Sequence, residues 1–532
     1  MKNNLIYITL IICFCFTGCS KAQLDEINTD TTKIPEKDYD PNELLSTAQL
    51  KYANIGYYQL VYQSTMMQLL ASTYFYYNNG DKYINVANFT DYQGRIFEEG
   101  YLQLSVVREM QRLASLKNQE TNSNLINIGD IMAILILQRI TDTYGDVPYF
   151  DAAKAMQGIK YPRYDKQEDI YDAMLTDLEK AIQNLDPQKP KPTADLFYKG
   201  DILKWKKLGY SILLRMAMRL TKVNPEKAKM WAEKCAGNTF ADISDNAIIV
   251  TDASSFNSQN GTSLALRTFS DYREVRWSKT LIDQLRKTND PRLGVICEVP
   301  QPGLANNADQ KLSGNSDPAV QLGLPNGLDL QEGPTDVRNS IGYPGGTGTG
   351  ADFAPLGKYS RPKTALYLKL GGPIFIMTYA ETELLLAEAK VRGWNIPTSA
   401  TTHYANGVTA ALQSLAQLDP TGKIPQGTID SYVSLNPLDE SNMQNSLNAI
   451  NTQYWLATGT NFNFIESWLN WKRSGYPVLT PVNYPGNTTN ATIPRRMIYL
   501  STEILNNTNN YKEAVSRLNG GDILTARVWW DK

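Results

Sequence analysis

Cys19 is the residue most clearly placed to undergo chemistry, and that chemistry is acylation. It follows Phe16-Thr17-Gly18 at the end of an uncharged apolar run that begins at Leu5, behind Lys2. Such a run is too short to span a bilayer as a mature helix, and it ends in the small residues at which leaders are cut. Cys19 is therefore expected to become a lipidated first residue, held by acyl chains whose buried CH₂ groups contribute ~0.8 kcal/mol each. A simple secretory leader with a chance cysteine is the alternative, and Phe16 stands where leucine is usual. Histidine chemistry is nearly closed off, because His403 is the one histidine in 532 residues. It cannot build a multi-histidine metal site or an H-E-x-x-H motif. Its neighbours Thr401, Thr402 and Tyr404 read as the opening of a surface helix, a structural role. Asp and Glu number 54, so spacing neither supports nor opposes a glycosidase acid/base pair, whose members come from distant parts of a fold.

Aromatic residues are the positive signal. Tyr74-Phe75-Tyr76-Tyr77 precedes Asn78-Asn79-Gly80, at the expected end of a helical stretch, where four consecutive rings cannot all face one core. Flat rings beside amides suit sugars or peptide side chains, offering apolar area and hydrogen bonds at low entropic cost. Trp277, flanked by Arg273, Arg276 and Ser278, is a second candidate. The competing reading is that these rings fill gaps between helices.

Other chemistries find little support. A formal net charge of -2 gives no field for nucleic acid or an anionic bilayer. Gly346-x-Gly348-x-x-Ala351 fits a dinucleotide fingerprint only formally, since Tyr343-Pro344 precludes a strand before it and no amphipathic helix follows. Asp38-x-Asp40-x-Asn42 opens like a calcium loop, but Glu43 stands where the turn needs glycine. Cys235 and Cys297 remain in the body, as one disulfide or, the favoured expectation, as two separate buried thiols.

The elements that must position these residues are mainly helical. Residues 20–40 are polar, contain Pro35 and lack an apolar period, as a tether would. Tyr171, Leu175, Leu178, Ile182 and Leu185 form one stripe, ended by Asp186-Pro187. Trp205, Leu208, Ile212 and Met216 form another after an Asp201 cap. Met377, Ala380, Leu384, Ala387 and Val391 form a third, opened after Pro373 and closed by Gly393. No later apolar run approaches a membrane span. Trp205-Lys206-Lys207-Leu208-Gly209 matches the opening of a tetratricopeptide helix, which favours stacked helical hairpins, with a plain bundle as the alternative. Between residues 300 and 362 glycine and proline are dense and helical period is lost, so an ordered, ligand-facing insertion is expected there.

Longer blocks follow one another through the chain: DEINTD (25–30), TDTYGDVPYFDAA (141–153), YPRYDKQEDIYDAML (161–175), KGDILKWKKLGYSILLRMAMR (199–219), NDPRL (289–293), AETELLLAEAKVRGW (380–394), YANGV (404–408), ESWLNWKRSGYPVL (466–479), IPRRMIY (493–499) and VWWD (528–531). Together they resemble the SusD/RagB family of Bacteroidetes outer-membrane nutrient-binding lipoproteins. Locally they read as scaffold, with Asp142 and Asp146 expected to bond turn amides and Lys472-Arg473 to face solvent or a carboxylate.

The resemblance implies a mainly α fold, in which tetratricopeptide-like repeats pack against an irregular, loop-rich subdomain with few short strands. The expected layout is a leader at 1–18, a lipidated tether at 19–40 and a body at 41–532. The helical half would come mainly from 41–240 and 373–420, and the loop-rich, ligand-facing part mainly from 241–372 and 421–532. It further implies non-catalytic capture of an oligosaccharide, or of a peptide, and delivery to a SusC-like TonB-dependent transporter on the exterior of the outer membrane; no cofactor is expected, no residues are assigned to a metal, and a structural metal stays open. A surface glycoside hydrolase is the reading of a different class, and a structural adhesin is the third. Family binding residues follow no motif, so the ligand site is placed from the residues alone, at Tyr74, Tyr76, Tyr77, Asn79, Arg276, Trp277 and Tyr343.

Overall fold

Tyr171, Leu175, Leu178 and Ile182 share the buried face of one helix, Gln167–Asn184, in the computed structural model of the protein, which describes Lys21 and residues 38–85, 91–300, 313–345 and 356–532. Cys19, nearly all of the tether and the Gly346–Ala351 match lie outside the described residues. Leu185 leaves the helix in extended backbone, since the coming Pro187 cannot continue the turn. This helix is α4 in the series α1 (Asn42–Ala53), α2 (Asp91–Asn118), α3 (Ser123–Tyr144), α4, α5 (Ile202–Arg219) and α6 (Pro225–Cys235). Each packs on its neighbour in sequence, the pattern of stacked helical hairpins. Asp201 caps α5 by accepting from the Leu203 and Lys204 amides at 3.0 and 3.2 Å. Gly209 lets α5 approach α4, because a Cβ there would sit 2.4 Å from Ile182 Cγ1. Helix α3 is long and apolar enough to cross a membrane, but 78% of its apolar window is buried inside the protein, so it is a core helix.

A second helical group follows: α7 (Lys279–Lys287), α8 (Tyr379–Val391), α9 (Ala400–Leu418), α10 (Gln426–Leu435), α11 (Met443–Thr460) and α12 (Phe464–Ser474). Helix α8 packs on α9, α11 and α5, and α11 packs on α12. Thr378 and Glu381 close a reciprocal capping box at the start of α8. The stretch opened by Pro373 is therefore not helical at first. Pro373–Met377 is a strand, and helix begins only at Tyr379. Residues 421–532 also differ from the loop-rich expectation, since α10, α11 and α12 occupy their first half, anchored by the buried rings of Tyr454, Trp455 and Trp468.

Six short strands form three antiparallel pairs among the described residues: β1 (Leu70–Ser72) with β3 (Val275–Trp277), β2 (Ala247–Val250) with β6 (Pro373–Met377), and β4 (Cys297–Glu298) with β5 (Arg361–Pro362). Residues 42–532 make one compact unit. The glycine- and proline-rich stretch is ordered over residues 313–345, where Leu324 exchanges backbone bonds with Trp277 (2.9 Å) and Lys279 (2.8 Å). Beneath it a small separate core gathers Ala71, Leu324, Val337, Leu356 and Tyr359.

Five of the quoted blocks (141–153, 161–175, 199–219, 466–479 and 528–531) meet in a buried charged centre. Asp142 accepts from Tyr171 Oη (2.5 Å) and Trp530 Nε1 (2.8 Å), and Arg219 bonds Glu466 at 2.7 Å. Lys472 Nζ donates to the Asp142 carbonyl at 2.6 Å and lies 4.0 Å from the Trp468 ring centre. Asp142 thus faces side chains rather than turn amides, and Asp146 accepts from the Gln167 amide at the start of α4 (2.9 Å). Lys472 and Arg473 are both buried, so the carboxylate alternative holds for Arg473, which grips Glu388 with two nitrogens. Cys235 and Cys297 are separate buried thiols.

Candidate ligand-binding site

The short β1–β3 ladder positions the aromatic run. Ser72 pairs with Val275 in antiparallel register, so the chain leaving Ser72 and the chain entering Val275 meet at one end of the ladder. There Thr73 Oγ1 donates to Glu274 Oε2 at 2.9 Å. Phe75–Tyr77 form a 3₁₀ turn that runs into a short helix, Asn78–Asp81, rather than the end of a long helix. Asp81 fastens this segment to the Pro325-Asn326-Gly327 turn, accepting from Asn326 Nδ2 (2.6 Å) and the Gly327 amide (2.8 Å).

On this turn the Tyr74 and Tyr76 rings stack with centres 5.1 Å apart, and Phe75 meets Tyr74 edge-on at 4.8 Å. Phe75 is 49% exposed, and Tyr74 and Tyr76 are half-buried. Two further tyrosines extend the cluster. Tyr57, on the one-turn helix Tyr57–Leu60, and Tyr92, near the start of α2, lie 5.4 Å apart, and each is 6.5 Å from Tyr76. Linked through Tyr76, the five rings form one contiguous, partly exposed cluster. Sequence reasoning missed Tyr57 and Tyr92, since no spacing links them to Tyr76.

The remaining expected site residues divide by burial. Tyr77 and Asn79 turn inward beneath the cluster. Trp277 is 0% exposed, donates its indole N–H to the Ile296 carbonyl at 3.1 Å, and packs edge-on to Tyr367 and Phe462. Arg276 is also fully buried, its guanidinium bonded to the Tyr272, Val275 and Leu356 carbonyls. Neither offers a face to solvent, because β3 is covered on both sides. That corrects their placement as surface ligand contacts. Tyr343 packs on the small separate core. The sequence-derived set therefore contributes Tyr74 and Tyr76 to the exposed cluster.

Asp271 lies beneath the rings on the helix Phe269–Glu274. It accepts from Tyr57 Oη through Oδ2 and from Tyr77 Oη through Oδ1, each at 2.8 Å. Burial pushes its carboxyl up to about 6. Burial also raises the Tyr57 and Tyr77 hydroxyls well above their usual range, so both stay protonated donors. The cluster offers ring faces, while the Tyr57 and Tyr77 hydroxyls are taken up by Asp271 beneath them. His403 is taken up elsewhere, its Nδ1 2.9 Å from Glu383 and its Nε2 2.7 Å from the Pro397 carbonyl. It opens α9 as expected, but its ring is buried rather than on a surface. Burial disfavours its imidazolium, yet Glu383 outweighs that and raises its pKa. A groove of about 450 Å³ lies between α2, α3 and α4. Its walls are mainly polar, and Arg108 and Asp130 there pair with each other at 3.2 Å.

Comparison with solved structures defines the class of protein this fold belongs to. A structure titled Bacteroidetes AC2a SusD-like superposes with a TM-score of 0.78 at 23% identity, covering 93% of this chain and 100% of its own. A chitin-binding SusD homolog from Flavobacterium johnsoniae gives 0.70 at 21%, covering 92% and 98%. A structure described as a chitin-binding protein is nearer in sequence, 31% identical over 92% of this chain and 100% of that one, with a TM-score of 0.77. No match was found among curated proteins. The profile of the SusD-like family described as starch-binding and associating with the outer membrane matches residues 32–500, and the chain belongs to that family.

Proposed function

We propose that the protein is a surface glycan-binding lipoprotein that captures oligosaccharide on the Tyr57, Tyr74, Phe75, Tyr76 and Tyr92 cluster and passes it to a SusC-like TonB-dependent transporter. The half-exposed five-ring cluster, on a fold whose family is described as starch-binding, is the observation that carries it. Sugar C–H faces pack on aromatic faces while ring hydroxyls and amides satisfy the sugar's polar groups. Chitin oligosaccharides are the favoured ligand, since the relative at 31% identity is described as chitin-binding. Acylation at Cys19 would tether the protein to the exterior of the outer membrane and keep capture beside transport, raising the effective concentration of ligand at the channel. The ligand undergoes no bond change.

Calorimetry with chitohexaose, maltohexaose and a mixed peptide tests this, using the parent, Phe75→Ala and Tyr76→Ala. Chitohexaose should bind, and removing a central aromatic anchor such as Tyr76 should weaken it roughly 30-fold, about 2 kcal/mol. Unchanged affinity in both variants overturns the placement of the site. Peptide binding without glycan binding reassigns the ligand class, and released sugar products would mark a hydrolase. Failure to co-purify with a β-barrel from detergent-solubilised membranes would remove the transporter from the proposal.

A further inference from the structure

We propose that Asp271 is the positioning residue of the ring cluster, its buried carboxylate fixing Tyr57 and Tyr77 together and so setting the spacing of the rings that contact ligand. This rests on the cluster being the ligand site. Asp271 is 1% exposed and touches no ligand itself. Each of its oxygens takes one phenol at 2.8 Å. The two phenols come from segments on either side of β1, and the carboxylate comes from the segment before β3, so the β1–β3 ladder and the bonds of Asn54 to Gln259 and Gly261 bring the three together. Tyr57 contacts Tyr76 and Tyr92, and Tyr77 follows Tyr76 in the same turn. Releasing either phenol therefore lets the surface rings move.

The carboxylate also makes the arrangement sensitive to pH. The groups facing it are Tyr57, Tyr77 and Glu274. Behind them, Tyr92 acts on Tyr57, Tyr74 acts on Tyr77, and Arg273, Arg276 and Lys82 act on Glu274. Burial raises the Asp271 carboxyl, the charge of Glu274 adds to the rise, and the two phenol donors oppose it, leaving it at about 6. Ionised, both oxygens accept strong charge-assisted bonds. Protonated, one oxygen becomes a donor and the symmetric hold on two phenols is lost. The signs for folding and for binding are opposite. A carboxyl whose folded pKa is raised binds its proton more tightly when folded, so its contribution to stability grows as pH falls from about 6 toward 3.8. Ligand affinity should fall over the same range.

The test compares chitohexaose binding at pH 5 and pH 7.5 for the parent, Asp271→Asn, Tyr57→Phe and Tyr76→Ala, with near-ultraviolet tyrosine circular dichroism of the unliganded proteins from pH 4.5 to 8. The parent should lose about tenfold in affinity at pH 5, the scale of one hydrogen bond to a charged group. Asp271→Asn should be weaker by a similar factor at pH 7.5, with a flat pH profile, and Tyr57→Phe should lie between. The parent's tyrosine signal should titrate near pH 6 and that of Asp271→Asn should not. If Asp271→Asn keeps the parent's affinity and pH profile while Tyr76→Ala binds weakly, the positioning role is overturned and the site stands. If Tyr76→Ala binds like the parent, the ligand site is overturned, and the dichroism then decides on its own: a titration shared by parent and Asp271→Asn overturns the hold of Asp271 on the rings. Should Asp271→Asn not fold, Tyr57→Phe carries both readouts.

Discussion

Replacing Glu388 by glutamine should cost this protein a large part of its stability. Glu388 on α8 is 0% exposed and takes Arg473 Nη1 and Nη2 of α12 at 2.6 and 2.7 Å. Asn451 of α11 adds a bond at 3.0 Å, and Arg392 donates from the rim at 2.8 Å. Burial alone would raise the carboxyl, but Arg473 and Arg392 overcome that and hold it well below the usual range. Glutamine keeps the shape and removes the charge, leaving Arg473 buried and still cationic, with Asn470 and Asn451 as neutral partners. Breaking a buried pair in this way typically costs about 3–5 kcal/mol, against a total stability of roughly 5–15 kcal/mol. Urea unfolding at pH 7 measures the loss. Because the folded pKa is depressed, this contribution is present above the unfolded value of about 4.3 and disappears as pH falls below it. The parent should therefore converge on the variant in acid. The double variant Glu388→Met/Arg473→Met removes both charges and should recover most of the loss. A Glu388→Gln protein within about 1 kcal/mol of the parent would place the pair among solvated surface pairs and refute the reasoning.

Two other perturbations probe the packing. Gly209→Ala puts a Cβ against buried Ile182 at 2.4 Å; overpacking of ~1–3 kcal/mol should exceed the ~1 kcal/mol gained in helix propensity, so the melting temperature should fall, and a rise would show slack between α4 and α5. Burial pushes Lys472 down to about 7 from 10.5, so in that interval the unfolded chain binds a proton the folded one lacks, and stability should rise with pH by up to about 1.4 kcal/mol per unit. Lys472→Met should abolish that rise, and equal urea midpoint shifts between pH 7 and 9 in parent and variant would refute it.

Much of the helical scaffold was legible in the sequence because its cause is local. The stripe from Tyr171 to Ile182, the Asp201 cap and the Gly393 stop each depend on residues within a few turns. That helix begins only at Tyr379 rather than directly after Pro373 is not legible, because a short apolar run fits strand and helix alike, and the pairing of Pro373–Met377 with β2 depends on residues far away in sequence. The proposed site is half legible. A run of four aromatic residues signals that some rings must face outward, which Tyr74, Phe75 and Tyr76 do. Trp277 misled because flanking arginines look like surface, whereas Arg276 is buried on backbone carbonyls. Tyr57, Tyr92 and Asp271 carry no linear signal, since only contacts between segments distant in sequence assemble them.

The charged centre around Asp142 has a consequence for the order in which the molecule can form. Asp142 and Arg219 belong to the early helices, but their partners Glu466, Lys472 and Trp530 are made hundreds of residues later. A nascent chain emerging amino terminus first can pair Asp142 with Arg219 at 3.5 Å and with the Tyr171 hydroxyl, but it leaves Arg219 without the tighter bond to Glu466 and Asp142 without the Trp530 indole, and a buried ion short of partners is costly. The opening repeats can thus close around a first, looser ion pair, and the last segments to appear act as the keystone that completes it.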